Sequence, residues 1–136
     1  MSEKLKQRRI LLVDDNANTL ELLSDFLRGI GYAVRETRDA EEAMKVAKED
    51  PVDLAIIDLK IPGMDGINLM LSLRKIKPHL PVIIYSGYPF IDTATEALKM
   101  GADDYVNKPF LLNKLKMSID QVFDKHKSSI LQTSSE

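Results

Sequence analysis

The chain has 136 residues, the length of one domain with a single hydrophobic core. Hydrophobic residues make up 44% and charged residues 29%, the balance of a globular protein, and a net charge of −2 gives no electrostatic reason to expect nucleic acid. With no cysteine, disulfides and thiolate metal sites are excluded, and no stretch approaches the roughly 18 apolar residues of a membrane span.

The charged N-terminus MSEKLKQRR has no apolar targeting segment, and residues 1–8 read as a flexible arm. Arg9 and the apolar run Ile10–Val13 predict a first strand, which ends on two adjacent carboxylates, Asp14 and Asp15. Leu20, Leu23, Leu27 and Ile30 step by three and four, which predicts a helix, and Gly31 stands where helix ends place glycine. Ala33–Thr37 is the second strand. Asp39 and Glu42 have capping-box spacing and open a helix whose Ala40, Ala43, Met44 and Ala47 share a face; Pro51 closes it. Leu54–Asp58 is a third strand, apolar on both faces, followed by the turn residues of IPGMDG, Asp65 among them. A third helix is expected from about Ile67 to Lys77, stopped by Pro78. Val82–Tyr85 is the fourth strand, Thr93 to Met100 a short helix before Gly101, and Asp104–Val106 the fifth strand. Leu112, Leu115, Ile119 and Val122 mark the last helix, residues 126–136 read as a flexible tail, and the domain proper is expected over 9–125.

Five strands alternating with five helices imply right-handed crossovers and a parallel sheet covered on both faces, a doubly wound α/β fold. Ligands of such sheets bind beyond the carboxyl ends of the strands. The residues there are Asp14, Asp15, Thr37, Asp58, Ser86 and Lys108. Carboxylates crowded beside a low-dielectric core repel each other and need a cation or a proton. A hard divalent cation such as Mg2+ (or Mn2+) takes oxygen ligands and would hold the three aspartates together. One carboxylate is then suited to act as nucleophile toward a phosphoryl group, with Ser86 and Lys108 donating to its oxygens. Asp14, Asn16, Asn18 and Asp25 fall at EF-hand ligand positions, but Thr19 stands where that loop needs glycine and a strand precedes it, so no calcium loop is expected.

The pieces LLVDDN, IIDLKIPGMDG, YSG, GADDY and NKPF stand in this order, and over about Arg9 to Phe123 the chain resembles a receiver domain of a two-component response regulator. The resemblance implies a flavodoxin-like sheet of strand order 2-1-3-4-5 with five helices. It implies Asp58 as phosphoacceptor, Asp15 as a direct metal ligand, Asp14 as a ligand acting through water, and the backbone carbonyl of Lys60 as the remaining protein ligand. Ser86 and Lys108 match the phosphate-sensing pair, Tyr105 matches the aromatic switch, and Lys108–Pro109 falls where the family has a cis peptide. The implied role is a signalling switch, not a metabolic enzyme. It takes a phosphoryl group from a histidine kinase or histidine phosphotransfer protein onto Asp58 and catalyses only that transfer and its own dephosphorylation. Its surface then acts on a downstream protein target or an output domain. Neither nucleic acid nor membrane is an expected direct partner, and a cytoplasmic location is expected. The face of fourth helix, fifth strand and fifth helix is the expected site of change, and of dimerisation or target docking. The chain reads as a stand-alone regulator or relay component, or as a receiver cut from a longer protein.

Plainer roles compete at each position. Asp14 and Asp15 also suit the N-terminus of the first helix, Asp58 a strand-ending turn, Ser86 a loop start, Lys108 the solvated surface and Tyr105 static packing. Their joint register favours phosphoryl chemistry. A haloacid-dehalogenase-type hydrolase needs a second aspartate two residues after its nucleophile, where this chain has Asn16 after Asp14 and Lys60 after Asp58. A nucleotide-binding domain lacks its glycine-rich loop after the first strand, and a docking-only pseudo-receiver is disfavoured because every chemical position is filled. Lys60 and Tyr88 border the expected path of a hydrolytic water, and neither suits orienting it, so slow phosphoryl loss is expected. The plainer alternative puts Lys60 in solvent and Tyr88 flat on the surface. Asp53, His79 and His126 read as solvated surface, and Asp103 and Asp104 as turn and strand-edge charges.

Overall fold

The computed structural model of the protein describes residues 7–87, 91–107 and 112–134. Its elements, in chain order, are β1 Arg9–Val13, α1 Ala17–Gly29, β2 Ala33–Thr37, α2 Ala40–Glu49, β3 Leu54–Asp58, β4 Lys60–Ile61, β5 Met64–Asp65, α3 Gly66–Ile76, β6 Val82–Ser86, α4 Ile91–Lys99, β7 Asp104–Asn107 and α5 Leu112–Ser134. Five strands form one parallel sheet in the order β2-β1-β3-β6-β7. Leaving aside the two-residue strands β4 and β5, this is the expected order 2-1-3-4-5.

The sheet is buried on both faces, which is why β3 and β6 are buried along their whole length. Side chains alternate between two layers, as the pleat requires. Leu11, Val13, Ala55, Ile57 and Ile84 pack with residues of α2, α3 and α4. Ile10, Leu12, Leu54, Ile56 and Ile83 pack with residues of α1 and α5. At the β2 edge Arg35 and Glu36 are exposed, and Arg35 pairs with Asp50, which places charge on an unpaired edge.

Caps set the helix starts. Asn16 accepts from the Thr19 amide at 2.9 Å, Asp39 from the Glu42 amide at 2.8 Å and Asp65 from the Asn68 amide at 2.8 Å. The capping box of α2 is shifted, because Glu42 accepts from the amide of Arg38 instead of reaching back to Asp39. Gly31, at φ +108°, closes α1 in the left-handed conformation.

Three features differ from the sequence expectations. The β4–β5 hairpin was unforeseen, since two-residue strands carry no readable period; it turns through Pro62 and Gly63, the latter at φ +100°. α5 continues to Ser134, through residues read as a tail, because nothing from 126 onward is glycine or proline and an established helix propagates readily. Gln7 and Arg8, read as part of an arm, are tied down: Gln7 donates to the Gly31 carbonyl at 3.2 Å, and the Arg8 guanidinium lies 4.1 Å from the centre of the Phe123 ring.

A polar network joins elements at the amino end of β6. Asp103 accepts from the Val82 amide at 2.8 Å and pairs with Arg74 of α3 at 3.1 Å and with His126 of α5 at 3.0 Å. Arg74 also donates to the carbonyls of Leu80 and Gly101. Asp103 is a turn charge, as expected, but one with structural partners, and His126 is partly buried against it instead of solvated. Asp53, though exposed, accepts from the Arg9 amide at 2.7 Å, and Asp104 accepts from the Ser118 hydroxyl.

Candidate functional site

The carboxyl ends of β1, β3 and β6 meet at one edge of the sheet. Asp14 follows β1 and is fully buried, Asp58 ends β3 at 8% exposure, and Asp15 is exposed. One carboxylate oxygen from each lies within 4.8 Å of the others. At an effective dielectric of about 20, the Asp14–Asp58 pair alone repels by about 3 kcal/mol. Three hard oxygen donors, two of them buried, fit a divalent cation.

Backbone and side chains hold this cluster in place. The Asp14 amide donates to the Thr37 carbonyl at 3.1 Å. Asp14 Oδ1 accepts from the Asn16 amide at 2.8 Å, and Oδ2 accepts from the Tyr85 hydroxyl at 2.6 Å. Asp58 Oδ1 accepts from the Lys60 amide at 3.2 Å. Thr37, one of the strand-end residues, turns its hydroxyl to the Leu12 carbonyl at 2.8 Å and serves the backbone, not the site. Asn16 caps α1, so the competing role of Asp14 and Asp15 as helix caps is filled by their neighbour. The Arg38 guanidinium donates to the Asp15 carbonyl at 3.3 Å.

Ser86 ends β6 and is 1% exposed. Lys60 is exposed and opens the β4–β5 hairpin. Lys108, Pro109 and Tyr88 lie outside the described residues. Tyr105, in β7 beside Ile84, packs its ring against the layer shared by α2, α3 and α4. Its hydroxyl oxygen is buried and has no hydrogen-bond partner among the described residues.

Tyr85 is the site residue that sequence reasoning missed. Burial holds its hydroxyl proton well above the usual phenol range, reinforced by the charge of Asp14 and their hydrogen bond. The available signal was a tyrosine in an otherwise aliphatic strand, since a buried phenol seeks a partner. Among the described residues, no helix is long and apolar enough to cross a membrane.

A protein-family model described as the response regulator receiver domain matches residues 10–120. The chain is 36% identical over 116 residues to the transcriptional regulatory protein ZraR of Klebsiella oxytoca, covering 85% of this chain and 26% of that protein. It thus spans about a quarter of that relative's length. The structure of a CheY-like receiver domain protein from Methanospirillum hungatei JF-1 matches with a TM-score of 0.85 at 29% identity, over 91% of this chain and 99% of that one. A response regulator protein from Burkholderia pseudomallei, solved with a phosphorylated aspartic acid, calcium ion and citrate, matches with a TM-score of 0.77 at 28% identity, over 93% and 75% of the two chains.

Proposed function

Because the chain belongs to the response regulator receiver family of two-component systems, we propose that it takes a phosphoryl group onto Asp58 and signals through the surface change that follows. The observation that carries this reading is the convergence of Asp14, Asp15 and Asp58 within 4.8 Å at the strand ends, where Ser86 finishes β6. A relative of known structure bearing a phosphorylated aspartic acid with a calcium ion supports the same chemistry here.

The donor is a histidine kinase or a histidine phosphotransfer protein. An Asp58 carboxylate oxygen attacks phosphorus, the O–P bond forms, and the imidazole nitrogen leaves with the electrons of the broken N–P bond. The Lys60 amide orients the carboxylate by holding Oδ1. Ser86 donates its hydroxyl to a phosphoryl oxygen, and Lys108 is assigned the ammonium that neutralises another. Asp15, Asp58, the Lys60 carbonyl and, through water, Asp14 would hold Mg2+ or Mn2+, which would supply charge neutralisation of the phosphoryl oxygens.

The protein catalyses only its own phosphorylation and dephosphorylation and works in the cytoplasm. Phosphoryl loss is slow, a reading that rests on Lys60 and Tyr88 standing two residues after Asp58 and Ser86 in the sequence. Tyr105 relays the phosphorylated state to the face of α4, β7 and α5, which docks a downstream target, an output domain or a second copy. A transcriptional regulator as a much longer relative supports an output domain as recipient.

The test is labelling by acetyl phosphate with Mg2+. Asp58→Asn is expected to stay folded, with a urea midpoint no lower than that of the wild type, and to lose labelling; undiminished labelling of that variant would overturn the reading.

A further inference from the structure

Tyr85 is a member of the acidic pocket that the phosphoryl chemistry does not use. It is fully buried in β6 and stands in register with Asp58 across the β3–β6 ladder. Its ring lies in the layer of Ile10, Leu12 and Ile56, and its hydroxyl reaches past β3 to Asp14, which follows the next strand. The contact to Oδ2 is 2.6 Å long, the length of a charge-assisted bond from a hydroxyl to a carboxylate.

Asp14 is itself fully buried, so removing a donor from Oδ2 leaves buried negative charge less well solvated. A cation in the cluster offsets that same charge. The two partners therefore compete: a carboxylate whose charge is drawn toward a cation is a poorer acceptor for a phenol. Asn16 holds Oδ1 independently, so the orientation of Asp14 does not depend on Tyr85 alone.

We propose that Tyr85 is a positioning residue that stands in for part of the cation. Its hydroxyl stabilises the acidic cluster more when the cluster is free of metal than when it is loaded, and so tempers the affinity for a divalent cation. This rests on reading the cluster as an Mg2+ site.

The experiment measures Mg2+ affinity by titration calorimetry, and thermal midpoints in EDTA and in saturating Mg2+, for the wild type, Tyr85→Phe, Asp14→Asn and the double variant. Tyr85→Phe removes one oxygen from a ring that otherwise fits its place. It is expected to lower the midpoint in EDTA, to recover much of that loss in Mg2+, and to bind Mg2+ about threefold to tenfold more tightly. In the Asp14→Asn background, Tyr85→Phe is expected to leave Mg2+ affinity unchanged. Equal losses with and without Mg2+, or weaker Mg2+ binding by Tyr85→Phe, would overturn the inference. A wild type that binds no Mg2+ would instead overturn the reading of the cluster as a metal site.

Discussion

Gly66 opens α3 against the strand end that carries Asp58. Its amide donates to the Leu59 carbonyl at 2.7 Å, and a Cβ on it would stand 2.6 Å from the Asp58 carbonyl oxygen and 2.9 Å from Leu59 Cα. Both neighbours are backbone, so neither side yields cheaply. Gly66→Ala is expected to cost about 1–3 kcal/mol as the helix start and the strand end separate. It should lower the urea midpoint and slow acetyl phosphate labelling, because Asp58 moves with its backbone. A wild-type midpoint and labelling rate would show that this approach is not tight. The aspartates were legible in the sequence because each ends an apolar run at a place where the topology gathers ligands. The bond from Tyr85 to Asp14 was not, because it links residues 71 apart across an intervening strand, and no local spacing encodes it.

At the level of elements, the Asp103 network ties α3, β6 and α5 together. The carboxylate side chain is only 9% exposed and its Arg74 partner 22%, so the pair is shielded from solvent in a way surface pairs are not. Asp103→Asn keeps an acceptor for the Val82 amide but leaves Arg74 facing only carbonyls. The expected loss is about 2 kcal/mol, read from the urea midpoint. A change below about 0.5 kcal/mol would place the pair with ordinary surface ion pairs. Helix and strand limits fell within a residue or two of expectation wherever a cap or breaker marked them, as at Asp39 and Gly31. The β4–β5 hairpin and the length of α5 escaped because one is too short for a period and the other has no stop signal.

For the molecule as a whole, the alkaline limb of stability follows from its tyrosines. Tyr85 and Tyr32 both hold their protons more tightly when folded, each chiefly through burial, with Asp14 and Asp120 adding to it respectively. Below about pH 10 phenols keep their protons in either state, and this contribution is constant. Above it the unfolded chain releases protons that the native state retains, so stability falls as pH rises. Circular dichroism and tyrosinate absorbance followed together should show the last phenol ionising only as the fold is lost. Full ionisation of an intact fold would contradict the burial of Tyr85. Three rises of β6, from Val82 to Tyr85 or about 10 Å, separate the Asp103 network from the acidic cluster. Energetic effects at sites that far apart and without shared partners add. Descendants of this sequence are thus free to drift at one pole, gaining or shedding robustness, while the chemistry at the other is inherited untouched.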